Sequence, residues 1–429
     1  MSVQADIVVD RSREHRGRSD PGAVTAAIRR SQRADRIRAF ALAAPLLIFL
    51  LASFAVPIVI LLSKAIYDPT IKDALPRTSA MIGAWPGGAP TDAMLDAVGA
   101  DLIQAKTNDR LYELAKSLNS RLAGARSQIL KTARRLDDPS LAQDTPAASA
   151  ARIAAVKAVP FWSDPETWGA IRTGARGFTT FNLLNALDLR WTPAGSLGWV
   201  PADQAVFLRV FGRTFLIAGL VTLGTLLLGF PLAYLIANLQ QRYASLVIVL
   251  VLLPFWTSIL VRTAAWTVLL QKYGLLNEML IGLGITGDRL ELMYSRIGLI
   301  IAMTHIQLPF TLLPIYSVMR GIQPSQLRAA HSLGARPVTA FVRVYLPQVV
   351  PGIMAGCLLT FILCLGYYIT PALIGGASDQ LISNFIANYV NVDLNWEMAA
   401  ALSFILLVMT IALYAGFARL LGLDRLKLL

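Results

Sequence analysis

The sequence predicts an all-α integral membrane protein with six transmembrane helices and a largely helical extracytoplasmic insert after the first of them. Three observations carry that expectation. Of 429 residues, 55% are hydrophobic and only 15% are charged. Soluble domains run at about 25% charged, so lipid is the solvent for much of this chain. Uncharged runs long enough for a spanning helix, which needs about 20 apolar residues, recur along it. The excess of base, a formal net charge of +13, falls in particular connecting segments, as in the cytoplasmic loops of membrane proteins, and not on a folded basic face that would take nucleic acid.

The elements follow in order. Residues 1–38 form a basic amino-terminal segment with Arg11, Arg13, Arg16, Arg18, Arg29, Arg30, Arg33, Arg36 and Arg38. The uncharged run 39–63 is too long for the apolar part of a cleavable signal and reads as a signal anchor, transmembrane helix 1. Residues 64–206 are a polar insert of about 140 residues. It opens on the turn-rich GAWPGGAP at 83–90. Leu111, Ala115, Leu118, Leu122, Ala125, Ile129 and Leu136 then recur at helical spacing, predicting one amphipathic helix of about 25 residues, which DPSLAQDTPAAS at 138–149 breaks. Trp85, Trp162, Trp168, Trp191 and Trp199, five of the eight tryptophans, lie in this insert and point to a small core of its own. The remainder, 207–429, is the core region with transmembrane helices 2–6 over 214–241, 243–261 (continuing past Arg262 as TAAWTVLL), 297–319, 346–378 and 398–418.

Orientation follows from Lys and Arg in the short loops. The 320–346 loop holds Arg320, Arg328, Arg336 and Arg343 and no acid, and the tail holds Arg419, Arg425 and Lys427. The 379–397 loop holds Asp379, Asp393 and Glu397 and no base. Six spans put both termini and the arginine loop in the cytoplasm and the acidic loop and the insert outside.

Little in the chain performs chemistry. Cys357 and Cys364 stand about 10 Å apart along one helix, too far for a disulfide. His15, His305 and His331 are the only histidines, so no metal set is available. No G-x-x-x-x-G-K phosphate loop occurs, and Gly282, Gly284 and Gly287 spell G-x-G-x-x-G after no strand, which reads as a glycine-rich turn. His305, near Gln307 in mid-span, is expected to make an interhelical hydrogen bond, since no intramembrane acid is there for a proton relay. Gly352 and Gly356 form a helix-packing G-x-x-x-G. No cofactor, no metal and no catalysis are expected of this chain.

One stretch is unlike a connecting loop. In 321–346, Pro324 suits the first turn of a helix with Gln323 or Ser325 at its cap, and Gly334 suits a left-handed C-cap. Pro337 then starts a second helix feeding the next span. The expectation is two short helices at an angle on the cytoplasmic face, exposing a small Ala-Ala surface.

Ala329, Ala330, Gly334, Val344, Leu346 and Pro347 spell A-A-x-x-x-G followed by Val-x-Leu-Pro. This resembles the EAA loop of binding-protein-dependent ABC importer permeases, in which the loop docks into a cleft of a separate ATPase subunit. GFPLAYLIA at 229–237, LPFWTSILVRTAAWTVLL at 253–270, GLLN at 274–277 and LGYYITPALIGG at 365–376 resemble the spermidine/putrescine permease type, the first of its two permease subunits. The resemblance covers the first span and about 207–429, not the insert. Arg328 stands where the family has glutamate, which reverses a charge at the docking surface. The resemblance implies a fold of the ABC importer permease type in the bacterial inner membrane. Its implied partners are an ABC ATPase dimer, which would bind ATP and Mg, a second permease subunit in a heterodimer, and an extracytoplasmic solute-binding protein. Coupling would fall to Arg328, Ala329, Ala330, Gly334, Leu346 and Pro347. A polyamine-type solute is implied, and another small organic solute (an amino-acid derivative, an opine or an organic anion) is the alternative. For such a cation, Trp256 with Thr257, and Tyr367 with Tyr368, offer aromatic faces, and Asp393 and Glu397 offer negative charge at the outer mouth. A secondary transporter is disfavoured because the spans lack Asp, Glu and Lys. A sensor receptor is disfavoured because five further spans follow the insert and no output domain does.

Overall fold

The computed structural model describes residues 41–191 and 197–420. The basic segment 1–38, the first two positions of the 39–63 run, and Arg425 and Lys427 of the tail lie outside the described residues. Two compact units divide the chain, Met1–Ile60 and Leu61–Leu429. Helix α1 (Ala41–Ser63) is apolar, and its long side chains are exposed from Leu42 to Ile60. It carries a π-helical turn at Leu51–Ala55. Pro57, just beyond, cannot donate to the fourth carbonyl before it, and a widened turn absorbs that defect.

The insert leaves and re-enters the chain at one place. Asp68 N–H donates to the Gly177 carbonyl and Thr179 N–H to that of Ile66, each at 2.8 Å, closing a bridge between Tyr67 and Phe178. Between these roots lie α2 (Thr70–Ala74), α3 (Pro76–Ile82), α4 (Asp92–Thr107), α5 (Leu111–Arg121), α6 (Ala125–Arg135), α7 (Pro146–Lys157) and α8 (Pro165–Ala175). Their starts follow from sequence: Thr91, Thr145 and Asp164 each accept a backbone N–H of the first turn they cap, and proline opens α3, α7 and α8. Asp101 of α4 caps α3 from outside, accepting from Thr78 N–H at 2.8 Å and Thr78 Oγ1 at 2.7 Å.

The seven apolar positions from Leu111 to Leu136 do pack inward. The single long helix, however, is two. Gly124 sits at φ +85°, where the chain turns, and Asn119 Oδ1 accepts from the amides of Gly124 and Arg126 to start α6. The start of α7 also falls inside the stretch expected to break the helix. Trp85, Trp162 and Trp168 join the buried core as expected, whereas Trp191 and Trp199 do not: they lie on an exposed hairpin, β1 (Leu189–Trp191) and β2 (Leu197–Trp199), that follows α9 (Phe181–Asn185).

The core region holds α10 (Phe207–Asn238), α11 (Gln241–Leu252), α12 (Ile259–Leu269), α13 (Leu275–Gly282), α14 (Arg296–Gly321), α15 (Pro324–Ser332), α16 (Pro337–Leu365), α17 (Ile369–Ile374), α18 (Ile382–Asn391) and α19 (Trp396–Leu420). Helices α10, α14 and α16 interlock through small residues. A Cβ on Gly356 would stand 2.6 Å from the Thr311 carbonyl, and one on Gly352 would stand 3.0 Å from that of Pro314, so the G-x-x-x-G is the seam between α16 and α14. Buried hydroxyls tie all three helices, Thr225 to Thr311 at 2.8 Å and Thr311 to Thr360 at 2.6 Å.

Two expected spans are broken. The run 243–261 bends by 98° between Gln241–Trp256 and Ile259–Leu269. Thr257 leaves helical geometry there, and the Ser258 hydroxyl caps α12 at the Leu260 amide. The run 346–378 stops being one helix at Leu365, and α17 resumes after Gly366, Tyr367 and Tyr368. Among the described residues, five helices are long and apolar enough to span, six if the bent pair counts as one. The second short helix expected at Pro337 is instead the near end of α16, continuous with it through a π-helical turn at Phe341–Tyr345 that again precedes a proline, Pro347. Gly284, at φ +69° beyond α13, makes the G-x-G-x-x-G a turn, as expected.

Candidate functional site

The first candidate is the end of the core region formed by α15. No side chain of α15 is buried. Its last turn closes as a Schellman motif: Ala335 N–H reaches the Ala330 carbonyl at 3.1 Å and Gly334 N–H that of His331 at 2.9 Å. Gly334 takes φ +83°, with open space where a Cβ would stand, so the backbone conformation and not crowding selects glycine. Ala329 is exposed, Ala330 half-buried, and Leu333, beside them, is 89% exposed. Arg328 is exposed and makes no ion pair with a described residue. Leu346 is half-buried and Pro347 exposed at the start of the regular part of α16. The result is a short helix that packs Leu327 inward and exposes Gln326, Arg328, Ala329 and His331, with Leu333 just beyond its end, rooted in α14 and α16, the two helices joined by the glycine seam.

The second candidate lies at the helix breaks. Trp256 stands at the bend, 76% exposed, and Thr257 Oγ1 donates to the Pro254 carbonyl at 2.6 Å. Tyr367 is half-buried and Tyr368 exposed in the unwound link after α16. Their carbonyls accept from Ser383 Oγ at 2.5 Å and Asn384 Nδ2 at 2.8 Å, so α18 holds the link in place. Thr263 and Thr370, hydroxyls 3.1 Å apart, join the two broken stretches. Sequence placed these aromatics within continuous spans; the structure places Trp256 at the end of a 3-10 turn at the bend and the tyrosine pair in non-helical backbone, which at membrane depth is tolerated where it lines a cavity or lies buried in protein.

Beneath the bend is a cavity of about 240 Å³ lined by Val251, Pro254, Phe255, Arg262, His305 and Pro309, among others. The Arg262 guanidinium lies 5.2 Å from the centre of the Phe255 ring, and Phe255 packs edge-on against Phe310. His305 makes the expected interhelical hydrogen bond, but with Trp266, whose Nε1–H donates to its Nδ1 at 3.2 Å. Gln307 is buried beside the Cys364 thiol, with no oxygen or nitrogen partner for its amide among the described residues. In the sequence Arg262 only interrupts an otherwise apolar run, and its place one turn after the Thr257-Ser258 break is the signal that marks it.

Glu397 is not a free acid, and Asp393 is held through its backbone carbonyl. Lys64 lies 3.9 Å from Glu397, and Lys116 of the insert donates to the Asp393 carbonyl. In sequence both bases are remote. The fold brings them to the acids and makes the pair part of the seam between insert and core.

A family model described as a binding-protein-dependent transport system inner membrane component matches residues 225–422. The match includes α15 and both helix breaks and leaves the insert outside. Spermidine/putrescine transport system permease protein PotB of Haemophilus influenzae is 35% identical over 198 residues, 46% of this chain and 69% of that protein. The protein of the same name from Escherichia coli is 34% identical over 204 residues, 47% of this chain and 74% of that protein. Among solved structures, a bacterial alginate ABC transporter in complex with an alginate-bound periplasmic protein aligns at TM-score 0.42 and 21% identity, covering 50% of this chain and 77% of that one.

Proposed function

The chain belongs to the family of binding-protein-dependent transport system inner membrane components, and from that premise we propose that it forms half of an ATP-driven import pathway for polyamine-type cations. It is a multi-pass inner-membrane permease subunit of an ABC importer. The observation that carries the coupling half of the proposal is the exposed, Schellman-closed helix α15 standing between α14 and α16. In this reading Ala329, Ala330 and Leu333 seat in a cleft of an ATPase subunit, with Arg328, Gly334, Leu346 and Pro347 completing the joint. Closure of an ATPase dimer on ATP and Mg would push α15. Because the threonine ladder and the glycine seam lock α10, α14 and α16 together, the push moves them as one body, and the breaks at 257–258 and 366–368 take up the change. A second permease subunit would supply the other half of the pathway, and a solute-binding protein would deliver the solute. The amino-terminal segment, α15 and the carboxyl end would face the cytoplasm, and the insert the outside. The chain itself would perform no covalent chemistry and hold no cofactor.

The coupling proposal is tested by Gly334→Asp. A side chain at φ +83° strains the cap by about 1 kcal/mol and puts a charge on the docking face. Uptake should be lost while the protein still inserts and the binding protein keeps its affinity; normal uptake would refute the coupling role.

The names of the relatives support the polyamine solute, and Trp256, Thr257, Tyr367 and Tyr368 at the helix breaks offer faces and hydroxyls to an ammonium, each aromatic face worth about 0.5–2 kcal/mol. One observation favours a second reading. Arg262, a cation without an acid partner among the described residues, lines the cavity at the bend and suits an anionic solute. Labelled putrescine and spermidine, an amino-acid-like solute and an organic anion, offered to cells lacking other importers, separate the two: ATP-dependent uptake of the anion alone would overturn the polyamine assignment. The insert would act as a folded cap that helps dock the binding protein. Replacing 69–176 with a short linker across the Tyr67–Phe178 bridge tests that role, and an unchanged uptake rate at limiting solute would make the insert dispensable.

A further inference from the structure

Neither transport nor the packing of the insert accounts for the β1–β2 hairpin. It pairs Leu189 with Trp199, Arg190 with Gly198 and Trp191 with Leu197. Opposed residues share a face and alternate along each strand. Leu189, Trp191, Leu197 and Trp199 therefore form one wholly apolar face, with Arg190 and Gly198 on the other. Trp191, Leu197 and Trp199 are 52%, 54% and 69% exposed, so no described residue covers that face.

Its position is fixed by Asp188, the residue just before β1. The buried Asp188 carboxylate accepts from the amides of Val206 at 3.1 Å, Phe207 at 3.1 Å and Leu208 at 2.8 Å, which are the first free N–H groups of α10. The Asp188 carbonyl accepts from Val200, just after β2, at 2.9 Å. Both strands are thus clamped at their base to the first turn of a membrane-spanning helix. Asp188 takes φ +54° to do so, a left-handed conformation that its three N–H bonds hold in place. A second exposed aromatic pair, Tyr67 and Phe178 with ring centroids 5.1 Å apart, stands just beyond Ser63, the last residue of α1. Where a spanning helix ends, the solvent is the headgroup layer. An indole, apolar in body with one N–H donor, is the side chain best suited to it.

We propose that the Leu189, Trp191, Leu197 and Trp199 face is an interfacial anchor that beds in the lipid headgroups at the amino-terminal end of α10 and holds the root of the insert to the bilayer. The test uses the full chain in lipid nanodiscs, with nitroxides placed by Trp191→Cys or Trp199→Cys after Cys357→Ala and Cys364→Ala. Tyr112→Cys, on the exposed side of α5, is the aqueous reference. The ratio of oxygen to water-soluble nickel collisions at 191 and 199 should exceed that at 112 by about threefold or more. Equal ratios would overturn the proposal. So would protection that appears only when a solute-binding protein is added, which would make the face a protein-docking surface. A label-free measurement guards against a perturbed fold: brominated lipid should quench the native tryptophan fluorescence by a smaller fraction in Trp191→Phe/Trp199→Phe than in the unmodified chain, and an unchanged fraction refutes the anchor.

Discussion

The insert and the core region solve packing in opposite ways. In the insert the largest side chains are innermost: Trp162, Trp168, Leu102, Leu114 and Ile171 are wholly buried, and Trp162 donates its N–H to Thr132 at 2.8 Å. In the core region the smallest residues meet at the centre (Gly352 and Gly356 against α14, Thr225 against Thr311), while Leu227, Leu228, Leu235 and Leu250 point outward. The contrast reflects two solvents. Water drives large apolar side chains inward, by about 25 cal/mol for each Å² buried. Lipid is as apolar as leucine and provides no such drive, so spanning helices associate by close backbone approach and by hydroxyl hydrogen bonds.

Trp162→Ala should have the largest effect and should stay on one side of that divide. Removing a fully buried indole costs about 3–5 kcal/mol, so the insert should lose its cooperative melt while detergent-solubilised α10–α19 keeps its own. A joint loss of both transitions would break the comparison. Gly356→Leu is the converse. A Cβ there meets the Thr311 carbonyl at 2.6 Å, and overpacking of this kind costs about 1–3 kcal/mol or more. The core transition should fall and the melt of the insert should not move. Asp188→Ala probes the joint between the two solvents. It removes the cap of α10 and the support of a left-handed residue, at about 0.5–2 kcal/mol. Amide exchange should accelerate at 206–208 and along the hairpin, with the insert core unchanged.

The same contrast explains what was legible in the sequence. Regions in water announce themselves by period: the seven positions from Leu111 to Leu136 mark the buried side of α5 and α6, and Pro324 and Gly334 mark the two ends of α15. Gly124 was the visible sign that the long helix turns. In the spans, uncharged runs report length but not continuity, since an apolar residue looks alike in a straight helix, a bend or a link. The breaks at Thr257 and at Tyr367–Tyr368 therefore read as helix, although Pro254 with Thr-Ser and Gly366 with Pro371 punctuate them. Contacts between remote segments left no local trace at all. Lys64 with Glu397 and Asp188 with the first turn of α10 join positions that only the fold brings together.

The smallest expected effect is on pH dependence, and it belongs to the water-solvated side alone. Asp96 and Asp101 both lie on α4 but are shifted in opposite directions. The Arg152 guanidinium, 2.7 Å away, holds Asp96 below its ordinary value of 3.8. Burial pushes Asp101 above 3.8 despite its bonds to Thr78. For Asp96 the folded form binds its proton less readily than the unfolded chain. Its contribution is fully present above the unfolded value and is lost as pH falls through the lower, folded one. For Asp101 the sign reverses. Holding its charge in the interior costs stability at neutral pH, and that cost is relieved as pH falls through the raised folded value. The two effects oppose each other in adjoining windows, Asp101 above 3.8 and Asp96 below it, so the unmodified insert should gain stability from the first and lose it to the second as pH falls. Asp101→Asn should abolish the rise in melting temperature as pH falls toward 3.8, whereas Asp96→Asn should keep that rise and reduce the fall below 3.8. Parallel curves for the two variants would mean that neither carboxylate is shifted by its neighbours. A movement of the α10–α19 transition along with the insert would mean that the two regions share one cooperative fold after all.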